Sequence, residues 1–327
     1  MNENLRAVRK IFSRIGVALC VIVAVSLIAQ LAWIVGSVLL LGEDNWLIDS
    51  SWGMWLSTFV PMYAIGIPAG LLILWKMPVG KPENKPLGAK TFWLSLPIVF
   101  FLMYSGNLIG TGLSALLSGG QAQNTVADMT MDTNPLKILV MVILAPLLEE
   151  YIFRKQIIDR TGRFGEKTAV IFSALTFGLF HMNLFQFFYA FGIGLVLGYL
   201  YVRTGRLRYP VAIHCIVNFM GAVIAPLILS MVDQEALLAL DPNSQAYMEA
   251  WVQMLPGLAL QFLYSVFLIG LSVAGLVLLI VFRKKLIWKE TEAQLTGAAG
   301  VRAVYLNVGM ILFMIMCAAF IVMSLLP

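Results

Sequence analysis

Residues 136–154 read Leu-Lys-Ile-Leu-Val-Met-Val-Ile-Leu-Ala-Pro-Leu-Leu-Glu-Glu-Tyr-Ile-Phe-Arg, an apolar run that ends on two adjacent carboxylates, Glu149 and Glu150, and on Arg154. A charged side chain at the bilayer centre costs roughly 2.5–3.5 kcal/mol on insertion scales and must find partners or water. A chain that accepts this cost usually does so for function. The two histidines of the 327-residue sequence, His181 and His214, both follow inside the next apolar stretches.

Outward from this run, the rest of the chain has the same character. Apolar residues make up 60% and charged residues 12%, whereas charged residues are about a quarter of a soluble domain. The mean hydropathy is +0.89. A bilayer helix needs about 20 apolar residues, and such runs lie near 16–41, 55–75, 92–117, 136–153, 184–202, 209–230, 258–282 and 303–326, with a shorter ninth near 168–182. The expected fold is all-α, a polytopic transmembrane bundle of about nine membrane-embedded helices in a single domain, 1–327. No internal repeat or long linker divides it.

Lys and Arg in short loops collect on the cytoplasmic side. With Arg6, Arg9, Lys10 and Arg14 inside, nine spans put 21 of the 22 basic residues inside, including Lys81, Arg154, Lys155, Arg160 and Arg283, and leave Lys137 outside. The outer loops carry acids instead, among them Asp44, Asp128 and Asp241. The expected location is therefore the cell membrane, with the N-terminus cytoplasmic and the C-terminus outside. The net charge of +5 reflects this orientation and implies no nucleic-acid partner; basic inner loops would meet anionic lipid heads. The first run is too long for a signal-peptide core and reads as a retained anchor. Cys20, Cys215 and Cys317 fall inside apolar runs and read as buried thiols. Gly194 and Gly198 form a GxxxG pair suited to close helix packing.

Three short patterns carry the chemistry. In Glu149-Glu150-Tyr151-Ile152-Phe153-Arg154, Glu150 and Arg154 are i,i+4 neighbours and can pair. Glu149 is turned about 100° away and is free to face a cavity. Two adjacent carboxylates in a poorly solvated place cannot both ionise cheaply, so a shared proton or one raised pKa is expected. The second pattern is Phe177-Gly178-Leu179-Phe180-His181. The third, His214-Cys215-Ile216-Val217-Asn218, puts imidazole and amide on one helix face, with Pro210 suited to that helix's first turn. The competing structural reading is a charge cluster snorkelling to the interface beside satisfied histidines. It leaves the convergence of acids and imidazoles unexplained.

EExxxR, FxxxH and HxxxN in this order, each on its own membrane helix, resemble the three motifs of the CPBP family (CAAX prenyl protease and bacteriocin-processing, also called Abi), a group of intramembrane proteases. The resemblance covers about 136–222, the expected catalytic core. It implies an endopeptidase in which Glu149 is the main catalytic residue, Glu150 and Arg154 support it, His181 helps to activate water, and His214 with Asn218 steadies the oxyanion. There is no HExxH, no GxSG serine elbow and no intramembrane aspartate pair, every aspartate falling in an expected loop.

The mechanism divides at one point. Glu149 with His181 could take a proton from water, or Glu149, His181 and His214 could hold one Zn²⁺ as a His₂Glu set with an open fourth position. Glu149 and His214 lie near the cytoplasmic ends of their runs, whereas His181 comes at the far end of a short one. We expect the helix from about Phe164 to start below the membrane or lie obliquely, bringing His181 within a water's reach of Glu149. The expected partners are membrane lipids and a peptide or protein substrate, lipidated or not; the sequence sets no oligomeric state. The rival readings are a non-catalytic immunity or sensor protein that binds a peptide, and a proton-coupled transporter.

Overall fold

A computed structural model describes residues 3–80 and 82–326; Lys81, counted above with the inner loops, lies outside them. Among the described residues there are helices and no strands. We number the long elements α1 (Glu3–Leu41), α2 (Ser51–Leu74), α3 (Ala89–Ser118), α4 (138–161), α5 (Glu166–Phe180), α6 (Leu184–Thr204), α7 (Arg208–Leu229), α8 (Gln245–Phe282), α9 (Gly297–Tyr305) and α10 (Val308–Met323).

These elements fall on the nine apolar runs, with α9 and α10 sharing the last. By length and composition, however, six helices can cross a membrane, namely α1, α2, α3, α6, α7 and α8, and the pair α9–α10, bent by 63°, makes a seventh. Physical reasons separate the other two. The α4 rod carries Glu149, Glu150, Arg154, Lys155, Asp159 and Arg160, and the 15 residues of α5 rise only about 22 Å, short of a hydrocarbon core of about 30 Å.

Two expectations fail on α4. The helix does not stop near 153 but runs on through Asp159–Thr161, so Arg154, counted with a loop, is a fully buried helical residue. Asp159, expected in a loop, is likewise helical and buried. The reason is that buried partners, absent from any local pattern, take up these charges.

At one end of the bundle the alternate connections are bonded together. The Gly80 N–H donates to the Asp159 carbonyl (2.7 Å), Lys85 N–H to Thr204 O (2.9 Å), and Leu295 N–H to Phe164 O (3.0 Å). Near the start of α1, Phe12 packs its ring 5.7 Å from that of Phe164. These are the connections in which basic residues concentrate.

The main core joins α1, α2, α4, α5 and α10 through Phe12, Ile67, Phe153, Phe172, Phe177 and Phe313, and a second seam joins α3, α6 and α7 through Val99, Leu197 and Ile213. The glycine pair on α6 acts as its spacing suggests. A Cβ at Gly194 would lie 3.0 Å from Ala174, and one at Gly198 would lie 3.1 Å from Val170, so only the bare backbone allows α6 to lie this close to α5.

Prolines shape the walls of the site. Pro68, Pro146 and Pro226 each follow a stretch of wide π-helical turns: Pro61–Gly66, Ile138–Leu144 and Met220–Ile224. Proline has no N–H and clashes with the carbonyl one turn back, and a widened turn relieves the clash. In each case the residue before the proline donates five residues back, Ile67 to Met62 O, Ala145 to Val140 O and Ala225 to Met220 O. In the same register the proline leaves the next carbonyl unclaimed, which on α4 is that of Met141.

Candidate active site

The acid pair is divided by burial. The Glu150 side chain is wholly buried (0% exposed) while that of Glu149 keeps 19% of its surface open, as expected for neighbours about 100° apart on a helix. Arg154 holds Glu150 with a forked pair of bonds, Nε donating to Oε2 (2.8 Å) and Nη2 to Oε1 (3.3 Å). Its third arm, Nη1, donates to Ser173 Oγ on α5 (2.9 Å), and that hydroxyl passes its own hydrogen to Phe153 O (2.7 Å). A buried charge is tolerated when paired and hydrogen-bonded, and this arrangement meets that condition for both ions.

From α7, His214 enters between the two acids. Its Nδ1 lies 3.0 Å from Glu150 Oε1 and its Nε2 3.7 Å from Glu149 Oε2. Instead of a proton shared directly between carboxylates, an imidazole bridges them. Glu150, already held by Arg154, accepts, so Nδ1 carries a hydrogen, and Nε2 is turned toward Glu149. The distance there is too long for a direct hydrogen bond.

His181 caps the end of α5. Its Nδ1 lies 2.8 Å from Phe177 O; because a carbonyl only accepts, Nδ1 is again the protonated nitrogen and Nε2 is left free. The Phe177 ring joins the cluster, edge-on to His181 (4.9 Å) and to His214 (5.8 Å), with the Arg154 guanidinium 4.9 Å from its centre. The depth difficulty is eased by the length of α4. Measured from the short 162–165 connection, Glu149 lies twelve residues up one helix and His181 fifteen up the next, about 18 and 22 Å.

Asn218 lies one turn along α7 from His214. Its Nδ2 donates to Met141 O (2.7 Å), the carbonyl that Pro146 leaves without a helical partner. It thereby ties α7 to α4 one turn beyond the His214 bridge, leaving one amide hydrogen for anything else.

The ligand chemistry of Glu149, His181 and His214 suits zinc, since both imidazoles have Nδ1 held and Nε2 free. Their placement does not. Among the described residues no three His, Cys, Asp or Glu side chains stand where they could hold an ion.

Three participants had no signal in the pattern of acids and imidazoles. Ser173 is a small polar residue in an apolar helix, Phe177 was legible only as a motif letter, and Tyr63 comes from α2, more than eighty residues before the acid pair. The Tyr63 hydroxyl is buried without a hydrogen-bond partner among the described residues. Nearer the acid pair in sequence, the Tyr189 hydroxyl accepts from Gln186 Nε2 at 2.9 Å.

Residues 132–220, the stretch that builds this cluster, match the family model described as type II CAAX prenyl endopeptidase Rce1-like. By this region the chain is similar to the CPBP family. One similar protein is "Putative membrane peptidase YdiL" of Bacillus subtilis (strain 168), 30% identical over 157 residues, 45% of this chain and 63% of that one. The chain thus matches less than two thirds of that relative's length. Another is "Membrane-embedded CAAX protease MroQ" of Staphylococcus aureus (strain USA300), 28% identical over 197 residues, 55% of this chain and 76% of that one. No solved structure matches.

Proposed function

We propose that the chain is an intramembrane endopeptidase that hydrolyses a peptide bond of a membrane-associated protein or peptide near the cytoplasmic face. The observation that carries this reading is the unequal carboxylate pair: Glu150 is locked by Arg154 and His214, while Glu149 stays partly open opposite the His214 Nε2. One acid is a fixture and the other is left adjustable, as a general base requires.

A water between Glu149 and the free imidazole nitrogens would give one hydrogen to Glu149 as its oxygen attacks the scissile carbonyl. The C–N bond of the tetrahedral intermediate then breaks, and Glu149 returns the proton to the leaving amine. The Tyr63 hydroxyl, without a partner among the described residues, would forfeit no existing bond in donating to the developing oxyanion. Arg154, Ser173 and Asn218 act at one remove by holding Glu150 and the helices in register.

The test uses the full chain in vesicles with membrane-anchored peptides. Glu149→Gln should slow cleavage by about 100-fold or more without lowering the melting temperature, and His214→Ala should also slow it. Unchanged cleavage in both variants would remove the enzymatic reading and favour a peptide-binding immunity protein. Chelation should leave the rate unchanged; loss restored by added Zn²⁺ would move the water onto an ion.

A further inference from the structure

A second cavity, of about 690 Å³, lies away from the acid pair between α3, α5, α6 and the end of α8. Its walls are apolar, built from Ile98 and Leu102, Ile171, Leu195 and Leu279. Its volume is within the range of about 300–1,000 Å³ usual for small-molecule sites. At the end where the basic connections gather, it opens beside Lys167, Arg283 and Lys285, all exposed. Tyr199 and Trp288 stand at the same mouth with ring centres 5.2 Å apart.

Of the acids on the connections at this end, Glu166 and Glu83 are already engaged, whereas Glu290 and Glu292 make no ion pair among the described residues. Glu166 accepts from Arg203 and from the Lys289 N–H (2.7 Å), and Glu83 pairs with Lys289 and with Lys85 (2.5 Å). Among the described residues Lys167, Arg283 and Lys285 make no ion pair. The chain after α8 is also pinned over the opening, with the Ile287 N–H donating to the Tyr199 hydroxyl (3.3 Å).

We propose that this cavity binds one anionic phospholipid of the adjacent leaflet, its acyl chain between the helices and its phosphate among Lys167, Arg283 and Lys285. Three features fit that occupant together: an apolar slot inside the membrane, unpaired cations at its rim, and an aromatic pair at headgroup level. A purely apolar ligand would need no cations, and a soluble anion would need no slot. The site is independent of the peptidase reading, because none of its lining residues belongs to the acid–imidazole cluster.

The test is native mass spectrometry of the full chain released from nanodiscs of phosphatidylglycerol or phosphatidylcholine. We expect one retained phosphatidylglycerol and little retained phosphatidylcholine. Joint replacement of Lys167, Arg283 and Lys285 by glutamine should reduce retention by about tenfold or more. Val196→Trp, which fills the cavity and keeps the cations, should reduce it as well. The same charge removed elsewhere, by glutamine at Arg6, Lys10 and Lys76, should leave it unchanged. Equal retention of both lipids, retention of neither, or equal loss in the distant triple variant would overturn the proposal. Melting temperatures show that the variants are folded, and if Val196→Trp fails to fold, the charge variants still decide.

Discussion

Two ion pairs of the same spacing follow one another along α4, Glu150–Arg154 and Lys155–Asp159, and they have different fates. In the first, both side chains are completely buried; in the second, Lys155 is 41% exposed over a buried Asp159, with Nζ 2.6 Å from Oδ2. The first pair receives His214 from α7 and Ser173 from α5. The second receives the Tyr201 hydroxyl from α6 (2.8 Å), and nearby the Arg160 guanidinium holds the end of α2 through Leu74 O (3.0 Å). Acid–base spacing on a helix therefore says nothing about role. What distinguishes a site from a joint is the side chain that a third helix presents, an imidazole in one case and a phenol in the other.

The sharpest way to break this comparison is to remove one cation from each pair. Arg154→Met leaves a buried carboxylate uncompensated and should cost about 3–5 kcal/mol, read as a large fall in melting temperature or loss of folded protein in detergent. Lys155→Met removes a half-exposed partner and leaves the buried Asp159 its bond from Tyr201, so it should cost less than Arg154→Met. Equal losses in the two variants would show that burial is not what separates the pairs.

The smallest expected effect lies outside the membrane, where Glu83 joins the connection after α2 to the one after α8. Hydrogen bonds from Lys289 and Lys85 hold its carboxyl down to about 2. A lowered folded-state pKa contributes stability above the unfolded value, about 4.3, and this is lost as pH falls toward 2. Between pH 5 and 8 the group should therefore add no pH dependence, and Glu83→Gln at physiological salt should leave the melting temperature unchanged, because exposed pairs are screened. A clear drop would mean that this end of the bundle depends on its charges more than on its packing.

The helical class, the apolar runs and the pairing of Glu150 with Arg154 were legible because they follow from period and composition, which are local. The limits of α4 were not. Its charges looked like the start of a loop, and only Ser173, His214 and Tyr201, supplied by other helices, make it stable for them to remain helical. The place of Asn218 was hidden for a related reason. Its partner is a main-chain carbonyl that Pro146 frees, and no list of side chains records a missing backbone donor. Tyr63 lies in an apolar helix with no charged neighbour in sequence to mark it.

Hydropathy and charge order along the chain were sufficient to establish a membrane bundle with an acid pair and two imidazoles at its centre, since the cost of placing charge in lipid acts on each residue separately. Which glutamate is clamped and which left open, which nitrogen of each histidine is free, and where a lipid-sized cavity opens depended on α2, α3, α5, α6, α7 and α8 meeting around α4. Those outcomes are set by distances of a few ångströms between segments remote in sequence, and such distances exist only once the helices have packed.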